Sequence, residues 1–235
     1  MSQEPNAGKP SRRGGKSVDV AAGPQGILKR LYGALPQGSR ARIRAFLSLP
    51  AASERRWYMR LLLRHSILRQ AWRYRRPEHP VRSVLFVCYG NIMRSAFAEA
   101  ALRREAEQRG WDISVASAGT NARNGKRADP RADESAMRHG LSLAAHGARL
   151  LDRSLVDEAD VIVPMDYMNA ARILARFPDA ANRVVMLAGL GEKKGGSLEI
   201  VDPYDQSPED ANACFDRIES SVRGLAGALA PAPVR

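Results

Sequence analysis

The chain has 235 residues, with 37 Lys+Arg against 25 Asp+Glu and a formal net charge of +12, enough for one large domain or a medium domain with an extension. Its two cysteines, Cys88 and Cys214, stand far apart without a CxxC or Cys/His cluster, which argues against a disulfide framework or a zinc site; no metal or cofactor is expected. No run approaches the roughly 20 apolar residues that span a bilayer. Met1–Ser17 is polar and basic with no apolar stretch behind it, so no secretory leader is expected and the cytoplasm is the expected compartment.

The charge is unevenly spread. Residues 1–80 hold 17 Lys+Arg against 4 Asp+Glu, a net +13, whereas residues 81–235 hold 20 against 21. Two compositions in one chain predict two functional parts. Residues 1–25, rich in Gly, Pro, Ser, Lys and Arg, read as a disordered basic tail. Residues 26–80 read as a basic helical extension and linker. Ser53-Glu54 marks a helix start, and Trp57, Leu61, His65, Leu68 and Trp72 follow at helical spacing, with Arg55, Arg56, Arg60, Arg64, Arg69 and Arg73 on the other faces. Pro77 and Pro80 end it.

From 81 to 230 strand and helix alternate. Strands are expected at Val81–Cys88, Ile113–Ser117, Val161–Pro164 and Val184–Leu187. Helices are expected at Arg94–Arg109 (stopped by Gly110), Arg131–His139, Asn169–Ala175 and from Ser207, where Ser207 caps and Pro208 takes the first position. Such alternation implies an α/β domain, a doubly wound parallel four-stranded sheet with helices on both faces. Ligands of such sheets bind at the carboxyl ends of the strands.

Cys88 ends the first expected strand, and Tyr89-Gly90-Asn91-Ile92-Met93-Arg94-Ser95 follow it. A loop of this kind, turning into a helix N-terminus, aims backbone N–H groups at one point and makes a phosphate-sized anion site. Arg94 adds two parallel donors, and the positive field favours the thiolate of Cys88. Asn91 suits the left-handed backbone of the tight turn. Ser95 is placed to donate a hydrogen bond to the sulfur. Thiolate and cradle together are equipped for phosphoryl transfer through a covalent cysteine. A second group must then protonate the leaving oxygen, and Asp202, in the Asp202-Pro203-Tyr204 turn, fits that role. Asp166 is either a rim residue or a helix cap.

The stretch Val84–Glu99, VLFVCYGNIMRSAFAE, resembles the signature of the low-molecular-weight protein tyrosine phosphatases, a family that shares its fold with some arsenate reductases. The resemblance continues through Ser117-Ala118-Gly119-Thr120, Asp129-Pro130-Arg131-Ala132, His146-Gly147-Ala148-Arg149 and Asp202-Pro203-Tyr204. It implies a flavodoxin-like topology and hydrolysis of phosphate monoesters, protein phosphotyrosine above all, through a phosphocysteine. It also implies that Ser117 and His146 buttress Asn91 and Ser95. An arsenate-reductase-like enzyme and a phosphate-binding regulatory module without turnover are the alternatives.

Two departures from the family pattern stand out. Met93 occupies the position where many members carry a second cysteine. The stretch Asn121–Arg127 lacks the aromatic residue that normally walls the phosphotyrosine slot, which leaves Tyr204 as the wall; Arg123, Lys126 and Arg127 there either favour an acidic peptide or a small phosphorylated metabolite or form a solvated loop. The expected partner is therefore a phosphorylated protein or a small phosphate ester. The Trp57/Leu61/Leu68/Trp72 face of residues 26–76 suggests packing on the catalytic domain, self-association with a second copy, or contact with an anionic membrane surface at the periphery. Their charge comes without a nucleic-acid motif, which counts against nucleic acid.

Overall fold

The computed structural model describes residues 32–66, 80–190 and 197–229. The expected tail at 1–25, the helical positions Leu68 and Trp72 and the stop at Pro77 lie outside them. The chain falls into two units, Met1–Ile43 and Arg44–Arg235. In the first, the described residues enter helix α1 (Gln37–Ser48) after Pro36, whose carbonyl takes the N–H of Ser39 at 2.9 Å.

The second unit is built on β1 (Ser83–Cys88), β2 (Ser114–Gly119) and β3 (Val161–Pro164), all parallel in the order β2-β1-β3. The central strand explains its own composition. Val84, Phe86 and Cys88 enter one core cluster and Leu85 and Val87 the other, so both faces are covered and the run is apolar throughout. On the first face lie α3 (Arg94–Arg109) and α7 (Pro208–Leu229), whose Phe215, Ile218, Val222 and Leu225 form a buried helical stripe. On the second face lies α6 (Tyr167–Arg176), with buried Tyr167, Ala170, Ile173 and Leu174. Between β2 and β3 run α4 (Pro130–Arg138) and the short α5 (Arg153–Glu158).

The caps fall where composition placed them. Gly110 stops α3 at φ 64°, and Asp210 N–H donates to the Ser207 hydroxyl at the start of α7. The expected fourth strand does not extend as one among the described residues. Val184 makes a single parallel bridge to Ile162, and a 3-10 turn at Leu187–Leu190 takes over.

The helix α2 (Ala52–Ser66) packs on the same face as α6. Leu49, Tyr58 and Leu61 are buried in that core, and the Tyr58 ring meets Tyr167 edge-on at 6.3 Å. Burial of side chains of this size contributes roughly 1.5–3 kcal/mol each. Arg55 secures the turn before the helix, its Nε donating to Leu49 O at 2.8 Å.

Candidate active site

The three strands end together, and the loop 88–94 leaves β1 at that edge. Its carbonyls are occupied outward. Cys88 O accepts from Thr120 N (2.9 Å), Tyr89 O from Asn121 N (2.9 Å) and Ile92 O from Asp129 N (2.8 Å). His146 Nε2 lies 2.7 Å from Asn91 O, and since a carbonyl only accepts, that nitrogen carries the proton. With the carbonyls turned away, amide hydrogens are left for the inside of the loop, and Asn91 N donates to Cys88 Sγ at 3.2 Å. Asn91 alone among the described non-glycine residues has a positive φ, 53°.

Behind the loop the polar atoms form one directed chain. Arg149 N donates to Asn91 Oδ1 at 2.8 Å, which fixes the amide so that Nδ2 donates to Ser95 Oγ (2.9 Å) and Ser117 Oγ (2.8 Å). The Ser95 hydroxyl, already accepting, lies 3.0 Å from Cys88 Sγ and 3.4 Å from Ala118 O, and a Cys88 thiolate, which only accepts, draws the proton to the nearer sulfur. Ser117 donates its own hydroxyl hydrogen bond to Glu99. Asn91, Ser95 and Ser117 are fully buried. Glu99 was not singled out in the sequence, where it reads as a helix carboxylate paired with Arg103 at i+4.

Arg94, 2 % exposed, joins the loop to the end of β3 and to the segment that bears Asp202. Its Nη1 donates to Asp166 Oδ2 (2.7 Å) and Ile200 O (2.9 Å), and its Nη2 to Asp202 Oδ2. Burial works against its charge, but Asp166 and Asp202 outweigh it and hold the guanidinium protonated above its usual range. Of its two expected roles Asp166 fills that of the helix cap, Oδ1 accepting from Asn169 N at 2.7 Å at the start of α6, and it reaches the site through Arg94 without lining the cleft. Ile200 N is tied to Met165 O at 2.8 Å, so the segment bearing Asp202 is fastened to the end of β3.

The loop opens on a cleft of about 560 Å³. Cys88, Arg94 and Met93 lie in its lining with Gly90 and Ile92; Arg123, Lys126 and Asp202 line it too. Tyr204, half exposed, is steadied by Arg131, whose guanidinium lies 5.5 Å from the ring centre and donates to Tyr204 O at 2.9 Å. The cleft has a second aromatic wall beyond the single one expected. Tyr89 lines it, 42 % exposed, with Arg172 over its ring at 4.8 Å and Asn121 Nδ2 donating to its hydroxyl at 2.7 Å. Thus Cys88, Tyr89, Gly90, Ile92, Met93 and Arg94 meet Asp202 and Tyr204 in one cleft, while Asn91 and Ser95 are buried out of it with Ser117 and His146 behind the loop.

A buried thiol ringed by donors, an arginine and a carboxylate at the carboxyl edge of a parallel sheet define a phosphoryl-transfer hydrolase. The family model "Low molecular weight phosphotyrosine protein phosphatase" matches residues 83–233, and the chain belongs to that family. It is 38% identical over 147 residues to the low molecular weight protein-tyrosine-phosphatase Wzb of Escherichia coli (strain K12), covering 63% of this chain and 95% of that one. Among solved structures it is similar to the tyrosine phosphatase amsI of Erwinia amylovora (28% identity, TM-score 0.60, 66% of this chain and 97% of that one). It is also similar to the YwlE arginine phosphatase of Geobacillus stearothermophilus (30%, TM-score 0.56, 63% and 92%). The activity is that of a protein phosphatase.

Proposed function

We propose that the chain hydrolyses phosphotyrosine in proteins through a phosphocysteine at Cys88, with 81–230 as the catalytic domain and 26–80 as its extension. The observation that carries this reading is the convergence on Cys88 Sγ of the Asn91 amide (3.2 Å) and the Ser95 hydroxyl (3.0 Å), beside Arg94. The incoming phosphate takes the Nη2 edge of Arg94 from Asp202, while Asp166 keeps the other edge aimed. The Cys88 thiolate forms the S–P bond as the P–O bond to the leaving group breaks, and Asp202, carrying a proton, gives it to the leaving oxygen. The same carboxylate then takes a proton from water, whose oxygen attacks phosphorus, and the S–P electrons return to sulfur as phosphate departs. Tyr89 and Tyr204 suit a flat phenyl ring between them, and Arg123 and Lys126 at the rim favour acidic residues nearby.

Steady-state turnover of phosphotyrosine, phosphoserine and phosphoarginine peptides tests the reading. A kcat/KM highest for phosphotyrosine, with label from substrate phosphate trapped on Cys88 by acid quench, is the expected result. Preference for phosphoarginine, or no trapped label, overturns it.

The extension has a separate reading as a peripheral membrane contact. On α2 the residues Met59 and Leu63 are 41 % and 46 % exposed, among exposed Arg56, Arg60 and Arg64. Apolar tips among basic side chains suit an anionic lipid surface. No helix among the described residues is long and apolar enough to cross a membrane. Co-sedimentation with phosphatidylserine vesicles, weakened in Met59→Glu/Leu63→Glu, is expected. Equal sedimentation of both proteins, or a concentration-dependent oligomer in place of binding, counts against it.

A further inference from the structure

The phosphate cleft has a neighbour. Tyr89 and Asn121 line it, and they also line a second cleft of about 370 Å³. The second cleft is completed by Pro50, Ser53 and Glu54 at the start of α2 and by Arg172 on α6. The segment is held in place before any ligand arrives. Leu49 is fully buried beside it, Arg55 ties Leu49 O and Pro50 O, and Tyr58 anchors the helix one turn on.

Two polar atoms in this lining are shut away from water and have no hydrogen-bond partner, Glu54 Oε2 and Thr120 Oγ1. An unpaired buried group of this kind is costly, and such groups are few in folded proteins. Arg172 adds N–H donors that no hydrogen bond or ion pair engages among the described residues, its guanidinium carbon lying 4.8 Å from the centre of the Tyr89 ring. A carboxylate oxygen in need of a donor therefore shares a cleft with a guanidinium in need of an acceptor. A simple anion leaves Glu54 unserved and a simple cation leaves Arg172 unserved. A peptide group offers both an N–H and a C=O.

We infer that this cleft is a subsite for the main chain of a polypeptide substrate next to its phosphorylated residue. The substrate's N–H goes to Glu54 and its C=O to Arg172. The inference rests on the phosphatase reading and adds to it that the N-terminal extension takes part in choosing substrate. A phosphorylated side chain between Tyr89 and Tyr204 leaves its own backbone free to cross Tyr89 toward α2. The extension then favours phosphorylated polypeptides over free phosphate esters.

The experiment uses the full chain, para-nitrophenyl phosphate, and phosphotyrosine peptides lengthened one alanine at a time on either side. The longest peptide is also made with single N-methyl groups at successive amides. The ratio of kcat/KM for peptide over ester should rise about tenfold once the chain reaches the subsite, on one side of the phosphotyrosine only. One N-methyl group should remove that gain in the wild type and change nothing further in Glu54→Ala. Glu54→Gln, which keeps one acceptor oxygen, should retain part of it, and thermal melting of each variant confirms the fold. Peptides turned over with no dependence on length or on N-methylation overturn the subsite and leave the phosphatase reading standing. Dependence on length without dependence on N-methylation overturns the main-chain assignment. No turnover of any peptide or ester overturns both readings.

Discussion

Gly119, at the end of β2, lies against the backbone of the phosphate loop so closely that a Cβ there would sit 2.6 Å from Tyr89 O and 2.9 Å from Asn91 N. Neither contact is with a side chain that could turn aside. Gly119→Ala should therefore displace the loop, lowering kcat/KM for a small ester at least ~10²-fold and stability by about 1–3 kcal/mol. Kinetics and thermal melting read the two effects separately, and unchanged kinetics would show the loop to be more compliant than its hydrogen bonds indicate.

Cys88→Ser should abolish turnover while retaining affinity for phosphate or a phosphopeptide, because a hydroxyl is a far weaker nucleophile near neutral pH. Arg94→Lys should also be severely impaired. One ammonium cannot reach Asp166, Ile200 O and an incoming oxygen in the geometry the guanidinium holds. Isothermal titration and steady-state assays on the same preparations distinguish lost chemistry from lost binding.

Asp202→Asn should slow turnover by roughly 10²–10⁴, the usual contribution of a general acid. The loss should shrink as the leaving group becomes more acidic. An equal loss across a series of aryl phosphates would remove Asp202 from the proton-transfer step and leave it only its contact with Arg94.

Cys214 is half-buried against Val201 O at 3.5 Å, and burial pushes its thiol up to about 12, so it stays protonated at neutral pH. Iodoacetamide should barely label native Cys88→Ser protein and should label Cys214 once the chain is unfolded. Met93 supplies no partner thiol in the loop, so peroxide should inactivate the wild type with poor recovery in dithiothreitol once oxidation passes the sulfenic stage. Detection of a Cys88–Cys214 disulfide by mass spectrometry would contradict this.

Residues 1–43 form a unit of their own, whereas Leu49, Tyr58 and Leu61 belong to the core that includes α6. Deletion of 1–43 should leave melting temperature and ester turnover close to those of the full chain. Tyr58→Ala should cost about 3 kcal/mol or more, as large-to-small changes in cores do. A truncation through Ser66 should aggregate or melt early, and a stable, active truncation at that point would place α2 outside the cooperative unit.

The sequence showed most clearly what is local. Strand, Cys88, loop and helix α3 follow one another without a break from Ser83 to Arg109, and caps such as Gly110 and Ser207 act on their own neighbours. What depends on distant partners was hidden. Glu99 accepts the Ser117 hydrogen bond and Tyr89 shares a wall with Asn121, contacts that only the folded sheet creates. Helix α5, six residues long, is too short to show a period despite its Asp152 cap. The apolar run from Val184 reads as a strand, yet after one bridge the chain tightens into a 3-10 turn. On α2 the sequence pointed to a face centred on Trp57 and Leu61, but the core receives Tyr58 with Leu61 and keeps Trp57 at its margin.

Asp166 spends one oxygen on the first turn of α6 and the other on Arg94. The aim of the phosphate clamp is thereby made hostage to the fraying of a helix end. Warming that loosens this turn unlocks the guanidinium while the sheet is still intact, so on a temperature ramp activity should fade ahead of the far-ultraviolet circular dichroism signal. Asp166→Asn, with its weaker hold on both partners, should widen the gap between the two curves.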